Sequence, residues 1–322
     1  MAVLRSGGIL FIVRPFPIVF IASTLLVTPM RAQSPATFVV AHRGASAYAP
    51  EHTLDAYRLA LEQGAEYVEQ DLGLTRDGVL VCLHDLSLER TTNVEEVFPD
   101  RATTVVERGE TRKRWYVDDF TLAEIRQLDA GSWFDAKFAG ARIATFQEAI
   151  DLVKGKAGIF PELKGPERLR AKGLSLEDAV VAALEKNGLV DATVHGRPAV
   201  LLQSFEEQSL RTLATRLPTI PRTFLIGTPD AARRWLTADG LREMRAFVTG
   251  VGPMRQLVDA RPALVAEAHA ASLTVVPWTF RAQRGAPAEA STATADMRRF
   301  AETYKVDGLF TDNPDLFPRA RR

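Results

Sequence analysis

The sequence predicts an α/β fold built on a parallel sheet. Short apolar segments typical of buried strands alternate with longer segments whose apolar positions recur at helical spacing. Polar side chains suited to catalysis follow several of the apolar segments, at the strand ends where open α/β sheets and closed (β/α)8 barrels place their active sites. The chain of 322 residues could hold two average domains, but one barrel of about 250 residues also fits.

Nine apolar segments indicate strands. They begin near Thr37, Glu66, Val79, Ala157, Ala199, Arg222, Phe247, Thr274 and Val306. No Gly-x-Gly-x-x-Gly motif follows the first segment, which disfavours a dinucleotide-binding fold.

Helices are predicted between most of these strands. The predicted ranges are 52–63, 145–153, 176–186, 206–216, 230–245, 262–271 and 296–304. In the second range Phe146, Ala149 and Val153 recur at helical spacing. Ser175 and Gly188 are start and stop signals for the third.

Residues 1 to about 32 are predicted to be a secretion signal. Arg5 and Arg14 precede an apolar run of about a dozen residues, which is followed by a polar stretch. An uncleaved anchor is the alternative, although the run is short for a membrane span. We therefore expect a single domain over 33–322, periplasmic or secreted, without stable membrane insertion once the signal is removed.

Charge and cysteine content exclude some classes of protein. The 40 basic and 40 acidic residues cancel, so nothing indicates a nucleic-acid-binding surface. Cys82 is the single cysteine and cannot form an internal disulfide. Its place within a predicted strand favours a buried, small apolar side chain.

Three carboxylates predict a metal site. Glu69 and Asp71 are two residues apart, hence on one face of a strand, and Glu162 ends a later strand. Burying these carboxylates among apolar neighbours is costly unless a cation compensates them. An all-oxygen set suits Ca²⁺, our first expectation, or Mg²⁺, rather than Zn²⁺. The alternative is that the acids pair with nearby Lys or Arg.

Two histidines predict acid/base catalysis. His42 and His84 each follow an apolar segment and adjoin a charged residue, Arg43 and Asp85. We expect one to remove a proton from the attacking hydroxyl and the other to protonate the leaving alkoxide, with the order left open. Arg43 and Lys164 are expected to hold the phosphate. Salt bridges to the metal-site carboxylates are the alternative role for both cations.

The motifs AHRGASAYAPEHTL, YVEQDLGLTRDGVLVCLHD, FPELK and FTDNPD follow one another along the chain. In this order they resemble the glycerophosphodiester phosphodiesterases, and the order is more specific than any one motif. The resemblance runs from about Phe38 to the C-terminus. His52 stands where most members of the family carry Asn, which resembles the bacterial periplasmic subgroup.

The resemblance implies a (β/α)8 TIM barrel. A small inserted cap after the second or third strand, at about 86–120, would cover the barrel mouth and control substrate access. It further implies residues that line the glycerol and leaving-group pocket: Gln203, Phe205 and Trp278. Three others are expected to support the site from behind or to orient its loops: Glu51, His52 and Asp312.

The implied activity is metal-dependent hydrolysis of glycerophosphodiesters, such as glycerophosphocholine, to sn-glycerol 3-phosphate and an alcohol. One alternative is a phospholipase D-like enzyme acting on lyso or intact lipids. The charged character of 86–120 disfavours it, because lipid access needs an exposed apolar rim. Another alternative is a periplasmic protein that binds glycerophosphodiesters without cleaving them, for which two histidines would be unnecessary. The oligomeric state is not predicted.

Overall fold

The computed structural model describes residues 7–8 and 37–319. The contacts divide the chain into Met1–Ser34 and Pro35–Arg322, and the elements described here belong to the second unit. The predicted secretion signal therefore lies outside the described residues, apart from two glycines. Within the described ranges, no helix has the length and apolar character needed to cross a membrane.

The described residues contain thirteen strands, most of them short. They are β1 (Phe38–Ala41), β2 (Tyr67–Leu74), β3 (Leu80–Cys82), β4 (Thr103–Glu107), β5 (Glu110–Arg114), β6 (Gly158–Leu163), β7 (Thr193–Val194), β8 (Arg197–Pro198), β9 (Leu202–Ser204), β10 (Arg222–Ile226), β11 (Gly250–Pro253), β12 (Thr274–Val275) and β13 (Gly308–Thr311). The nine predicted strands correspond to β1, β2, β3, β6 and β9–β13.

Eight parallel strands form a nearly closed barrel. Their order around the sheet is β12, β11, β10, β9, β6, β2, β1, β13. The segment after β12 then meets β13, because Phe310 N–H donates to Pro277 O at 3.0 Å and Phe280 N–H donates to Phe310 O at 2.9 Å. The predicted (β/α)8 barrel is confirmed.

Twelve α-helices surround the barrel or lie in its loops within the described residues. They are α1 (Leu54–Glu62), α2 (Val94–Val97), α3 (Leu122–Ile125), α4 (Phe146–Val153), α5 (Pro166–Ala171), α6 (Leu176–Lys186), α7 (Glu207–Arg216), α8 (Pro229–Trp235), α9 (Ala238–Met244), α10 (Arg255–Ala260), α11 (Ala263–Ala270) and α12 (Pro287–Arg298), which continues as a π-helical turn, Arg299–Tyr304.

Two helix predictions differ from the structure. The range 230–245 is not one helix, because Thr237 accepts a hydrogen bond from Gly240 N–H and caps a second helix, α9. The range 296–304 is only the end of a helix that begins at Pro287. The first turns of α12 are rich in Ala, Ser and Thr and carry no apolar periodicity, so the sequence gives little signal for them.

Alternation along the strands places the site above an aromatic core. The core cluster that includes Phe38, Val40, Tyr67, Phe160 and Phe310 occupies the barrel interior, since alternate residues of a strand face the same side. The residues two or four positions further along the same strands or just beyond them lie on the same face, and they carry the polar side chains at the barrel mouth. Those side chains are His42, Glu69, Asp71, Glu162, Lys164 and Asp312.

β3 does not belong to the barrel. It pairs antiparallel with the end of β2, with Leu72 opposite Cys82. His84 therefore follows an antiparallel strand, which differs from the parallel sheet that the sequence predicted. The connection between Leu74 and Leu80 is too short for a parallel crossover, which needs a dozen or more residues. The hairpin instead carries the chain back to the mouth, where Leu83 N–H donates to Asp71 O at 2.8 Å.

The cap lies between β3 and α4 and has its own apolar core. It contains α2, the β4–β5 hairpin and α3. Trp115, Phe120, Ile125 and Ile143 belong to one buried cluster, so the inserted segment packs as a unit beyond residue 120 and up to α4. Cys82 is buried at its base as a free thiol.

Candidate metal and phosphodiester site

Three carboxylates meet at the mouth of the barrel. β2 and β6 are neighbours, and their register places Asp71 opposite Glu162. Glu69 lies two residues earlier on the same face of β2. One carboxylate oxygen from each residue lies within 4.8 Å of the other two, and all three side chains are buried.

The electrostatics of this triad suit a bound cation. Burial works against ionisation of Asp71, but Lys164 and His52 outweigh it and lower the pKa of Asp71 well below its usual range. Burial and the neighbouring carboxylates raise the pKa of Glu69 and of Glu162. The three groups therefore cannot all ionise readily unless further positive charge is supplied.

Unused bonding capacity points the same way. Among the described residues, Asp71 Oδ1 has no hydrogen-bond partner although it is buried. Lys164 Nζ lies 2.8 Å from Glu162 Oε1 and 3.7 Å from Asp71 Oδ1, so the predicted salt bridges to the triad are present. The Lys164 ammonium and the Arg43 guanidinium, whose Nε lies 3.5 Å from Asp71 Oδ2, supply two positive charges for three carboxylates. The oxygen-only set, the open Oδ1 and the uncompensated charge fit a hard divalent cation.

Arg43 lies beside the triad in an unusual backbone conformation. Its φ of 58° places it in the left-handed region, which costs a non-glycine residue about 1–3 kcal/mol. The turn directs the Arg43 N–H to Glu69 Oε2 at 3.0 Å. Its guanidinium donates to Glu51 Oε1 at 3.1 Å, while the buried Nε has no hydrogen-bond partner in the described part of the chain. It does lie 3.5 Å from Asp71 Oδ2, so the salt bridge to the triad that was the alternative for Arg43 is present. An Nε–H without a hydrogen bond can still donate to an anionic ligand.

His42 is held by a carboxylate and an arginine. Its Nδ1 lies 2.5 Å from Asp312 Oδ1, and Asp312 Oδ2 accepts a bond from Arg281 at 2.8 Å. Burial lowers the pKa of His42, but Glu69 and Asp312 outweigh this and raise it overall. Because Asp312 is an acceptor when ionised, Nδ1 carries the proton and Nε2 points toward Glu69, 3.7 Å away.

His84 is held in the same way. Its Nδ1 lies 2.6 Å from Asp85 Oδ1, and Arg90 Nε donates to Asp85 Oδ2 at 2.5 Å. Burial lowers the pKa of His84, and the nearby positive charge of Lys164 adds to this effect. The neutral imidazole is therefore favoured at neutral pH, with Nε2 available to accept a proton.

The remaining predicted supporting residues contact this framework. His52 Nε2 lies 2.8 Å from Asp71 Oδ2, and its Nδ1 lies 2.9 Å from the Tyr57 hydroxyl. Asp71 Oδ2 is thus engaged from behind, and its other oxygen faces the site. Glu51 accepts bonds from Arg43 and from Arg90.

A cavity of about 120 Å³ opens onto these groups. It is lined by His42, Arg43, Glu69, His84, Glu162, Lys164, Gln203, Phe205, Leu225, Trp278 and Phe310. Phe205 and Trp278 meet edge to face with ring centroids 5.7 Å apart and form its apolar wall. Gln203 turns toward the triad and donates to Glu69 Oε1 at 2.8 Å.

A larger groove of about 1180 Å³ lies at the opposite end of the barrel, near the start of β1 and β2. Barrel enzymes place their active sites at the carboxyl ends of the strands. The titratable groups that could act together also converge in the smaller cavity. We therefore assign the site there.

The sequence of residues 42–316 matches the model of the glycerophosphoryl diester phosphodiesterase family. The chain belongs to that family. A glycerophosphodiester phosphodiesterase of Bacillus subtilis is 30% identical over 315 residues, covering 93% of this chain and 94% of the relative. The enzyme class is accordingly that of the phosphoric diester hydrolases.

Solved structures of relatives share the fold. The glycerophosphodiester phosphodiesterase of Agrobacterium tumefaciens is 27% identical, with a TM-score of 0.64 over 87% of this chain and 98% of its own. A phosphodiesterase of Oleispira antarctica, solved with its product sn-glycerol-3-phosphate, is 26% identical, with a TM-score of 0.66 over 87% of this chain and 94% of its own.

All thirteen site residues predicted from the sequence lie in or directly behind this one cavity, but three contributors were missed. Arg90, Arg281 and Tyr57 bind Asp85, Asp312 and His52 respectively. Tyr57 lies on α1 in a position typical of core packing. The two arginines lie in loops without periodicity, where the sequence has no signal for a partner distant along the chain.

Proposed function

We propose that this site hydrolyses soluble glycerophosphodiesters, such as glycerophosphocholine, to sn-glycerol 3-phosphate and an alcohol. The observation that supports this most strongly is the meeting of two imidazoles, each held through Nδ1 by an aspartate, with three buried carboxylates at one cavity. A site that only binds a diester needs no such imidazole pair.

Glu69, Asp71 and Glu162 would hold the divalent cation, Ca²⁺ in the first instance and Mg²⁺ as the alternative. When bound, the cation offsets negative charge on the phosphoryl oxygens. Arg43 and Lys164 also line the cavity. They would donate hydrogen bonds to the phosphate and offset its negative charge.

His42 and His84 would move the protons. A hydroxyl, that of glycerol C2 or of water, attacks phosphorus and forms a new P–O bond. One Nε2 accepts the proton of that hydroxyl, and the other imidazole donates a proton to the leaving alkoxide as its P–O bond breaks. The lowered pKa of His84, caused by burial and Lys164, suits the accepting role. Attack by the C2 hydroxyl gives a cyclic phosphate, which water then opens with the same two imidazoles in reversed roles.

The surroundings of the cavity favour a soluble substrate over a lipid. Phe205 and Trp278 supply one apolar wall for the glycerol and the alcohol. Four large apolar side chains are exposed in the described residues: Leu86, Val106, Trp133 and Phe205. Entry of an acyl chain requires a more extensive apolar rim than four side chains supply. The glycerol 3-phosphate product bound to the Oleispira antarctica relative supports the same substrate class.

A panel of diesters tests the proposal. Release of glycerol 3-phosphate should be measured from glycerophosphocholine and glycerophosphoethanolamine, and release of choline from lysophosphatidylcholine, with chelator and with Ca²⁺ or Mg²⁺ restored. We expect turnover of the two deacylated diesters, its loss with chelator, and its recovery with Ca²⁺. Equal turnover in chelator would contradict the metal assignment, and preferential cleavage of the lysolipid would favour the phospholipase D-like alternative.

A further inference from the structure

The guanidinium of Arg90, a cap residue, joins two carboxylates from different parts of the chain. Its Nε donates to Asp85 Oδ2 at 2.5 Å. Its Nη2 and Nη1 donate to Glu51 Oε1 and Oε2 at 2.7 and 3.1 Å. The planar fork of a guanidinium can hold two carboxylates in fixed directions at once, which an ammonium cannot do.

Each of these carboxylates holds a side chain of the site. Asp85 Oδ1 lies 2.6 Å from His84 Nδ1. Glu51 Oε1 accepts a bond from Arg43 Nη1 at 3.1 Å. Arg90 thus connects the proposed proton-transfer group with the proposed phosphate-binding group, although it contacts neither.

Charge balance explains why the connection matters. Arg43, Glu51, Arg90 and Asp85 together carry no net charge, and the charged groups that act on His84 include Asp85, Lys164, Arg43 and Asp71. Without Arg90, Glu51 and Asp85 would repel each other. Asp85 would lose the contact that fixes its direction, and Glu51 would be free to take more of the Arg43 guanidinium from a phosphate.

We propose that Arg90 is a positioning residue for the phosphodiester reaction, holding Asp85 and Glu51 so that His84 presents Nε2 and Arg43 presents its guanidinium to the cavity. This inference rests on the proposed roles of His84 and Arg43. It gives the cap a part in assembling the site, in addition to the access role expected from the sequence.

A matched control variant distinguishes the proposed positioning role of Arg90 from a role in stabilising the cap alone. Arg114 is another cap arginine that spans two carboxylates, donating to Glu89 at 2.7 Å and to Glu107. Its partners bind neither histidine nor Arg43 in the described structure. Arg114→Gln therefore removes a comparable bridge from the cap and leaves the site contacts in place.

The test uses metal-loaded Arg90→Gln, Arg90→Lys and Arg114→Gln, with His84→Ala as a reference. Nitrogen NMR shifts report the tautomer of His84, which is assignable because the chain has 5 histidines. Steady-state kinetics with glycerophosphocholine report kcat and KM. We expect Arg90→Gln to lose the single Nδ1–H tautomer, to lower kcat roughly 10–100-fold and to raise KM. Arg90→Lys should recover part of kcat, and Arg114→Gln should match the parent in both measurements.

Arg90→Gln with the parent tautomer and kcat would overturn the inference, as would an equal loss in Arg114→Gln. If Arg90→Gln does not fold, the test rests on Arg90→Lys. An ammonium cannot hold both carboxylates as a guanidinium does, so the parent tautomer together with the parent kcat in Arg90→Lys would also overturn the inference. Turnover at the parent rate in His84→Ala would instead refute the proposed role of His84. The His84 tautomer in Arg90→Gln would then still show whether Arg90 positions this side chain.

Discussion

Glu51 shows how a single buried carboxylate ties pH to stability. Burial raises the pKa of Glu51, but Arg90 and Arg43 outweigh it and lower the pKa to about 2 from its usual 4.5. A lowered folded-state pKa means that the ion pairs stabilise the fold fully above about pH 4.5. The contribution is lost as the pH falls toward about 2.

Glu51→Gln should therefore lower the free energy of unfolding at pH 7 by about 1–3 kcal/mol. The difference from the parent should shrink at pH 3.5, where Glu51 is largely protonated in the unfolded chain and still ionised in the folded one. Urea unfolding of both proteins at the two pH values measures this. A difference that does not change with pH would show that the charge of Glu51 is not the cause.

Glu162 has the opposite balance, because burial and the neighbouring carboxylates raise its pKa. In chelator, Glu162→Gln should be at least as stable as the parent, since it removes a carboxylate that is hard to ionise there. At a Ca²⁺ concentration about 100 times the Kd of the parent, the free energy of unfolding of the parent should rise by about 2.7 kcal/mol and that of the variant by little. Thermal unfolding and titration calorimetry with Ca²⁺ measure this. Equal Ca²⁺ affinity in the two proteins would remove Glu162 from the metal site.

At the scale of elements, the two-residue period of the strands accounts for much of what the sequence predicted. Glu69 and Asp71 share a face because β2 is regular, and Thr145 and Ser175 cap α4 and α6 as their side chains suggest. The antiparallel course of β3 was readable from its short connection to β2. The pairing of Arg90 with Asp85 and Glu51 could not be predicted from the sequence, because it depends on how the cap folds back over the mouth of the barrel.

Close packing within the barrel gives a prediction for one strand. A Cβ on Gly158, the first residue of β6, would lie 2.3 Å from the Tyr67 ring, whereas a Cβ on Gly73 in β2 would meet nothing closer than 3.7 Å. Gly158→Ala should lower the free energy of unfolding by about 1–3 kcal/mol through overpacking. Gly73→Ala should stay within about 0.5 kcal/mol of the parent. Urea unfolding compares the two, and equal effects would contradict the packing of Tyr67.

At the scale of the whole molecule, the cap is fastened to the barrel by a buried acid. Asp118 lies 3.2 Å from Arg168 Nε and 2.5 Å from Lys172 Nζ, so it joins the cap to α5 and to the residue that ends this helix. Removing a buried acid leaves its ion-pair partners uncompensated and costs more than removing an exposed one. This contact and Arg90 should therefore help to hold the cap, which has its own apolar core, against the barrel.

Asp118→Asn should accelerate amide exchange in the cap between β3 and α4, and leave exchange in β6 and β13 unchanged. Glu110→Gln is the matched control, since its partner Arg112 lies in the same exposed hairpin. Hydrogen exchange followed by mass spectrometry compares the variants. Faster exchange in Glu110→Gln than in Asp118→Asn would refute the fastening role.

The proposed roles of His42 and His84 require both imidazoles to transfer protons at the carboxylate site. The most direct measurement is kcat/KM for glycerophosphocholine in His42→Ala, His84→Ala and the double variant, each shown to be folded and to bind Ca²⁺. We expect a loss of roughly 10²–10⁴-fold in each single variant. The double variant should lose less than the product of the two, because the pair acts as a unit. A folded, Ca²⁺-binding double variant that turns over at the parent rate would show that neither histidine transfers a proton in the reaction.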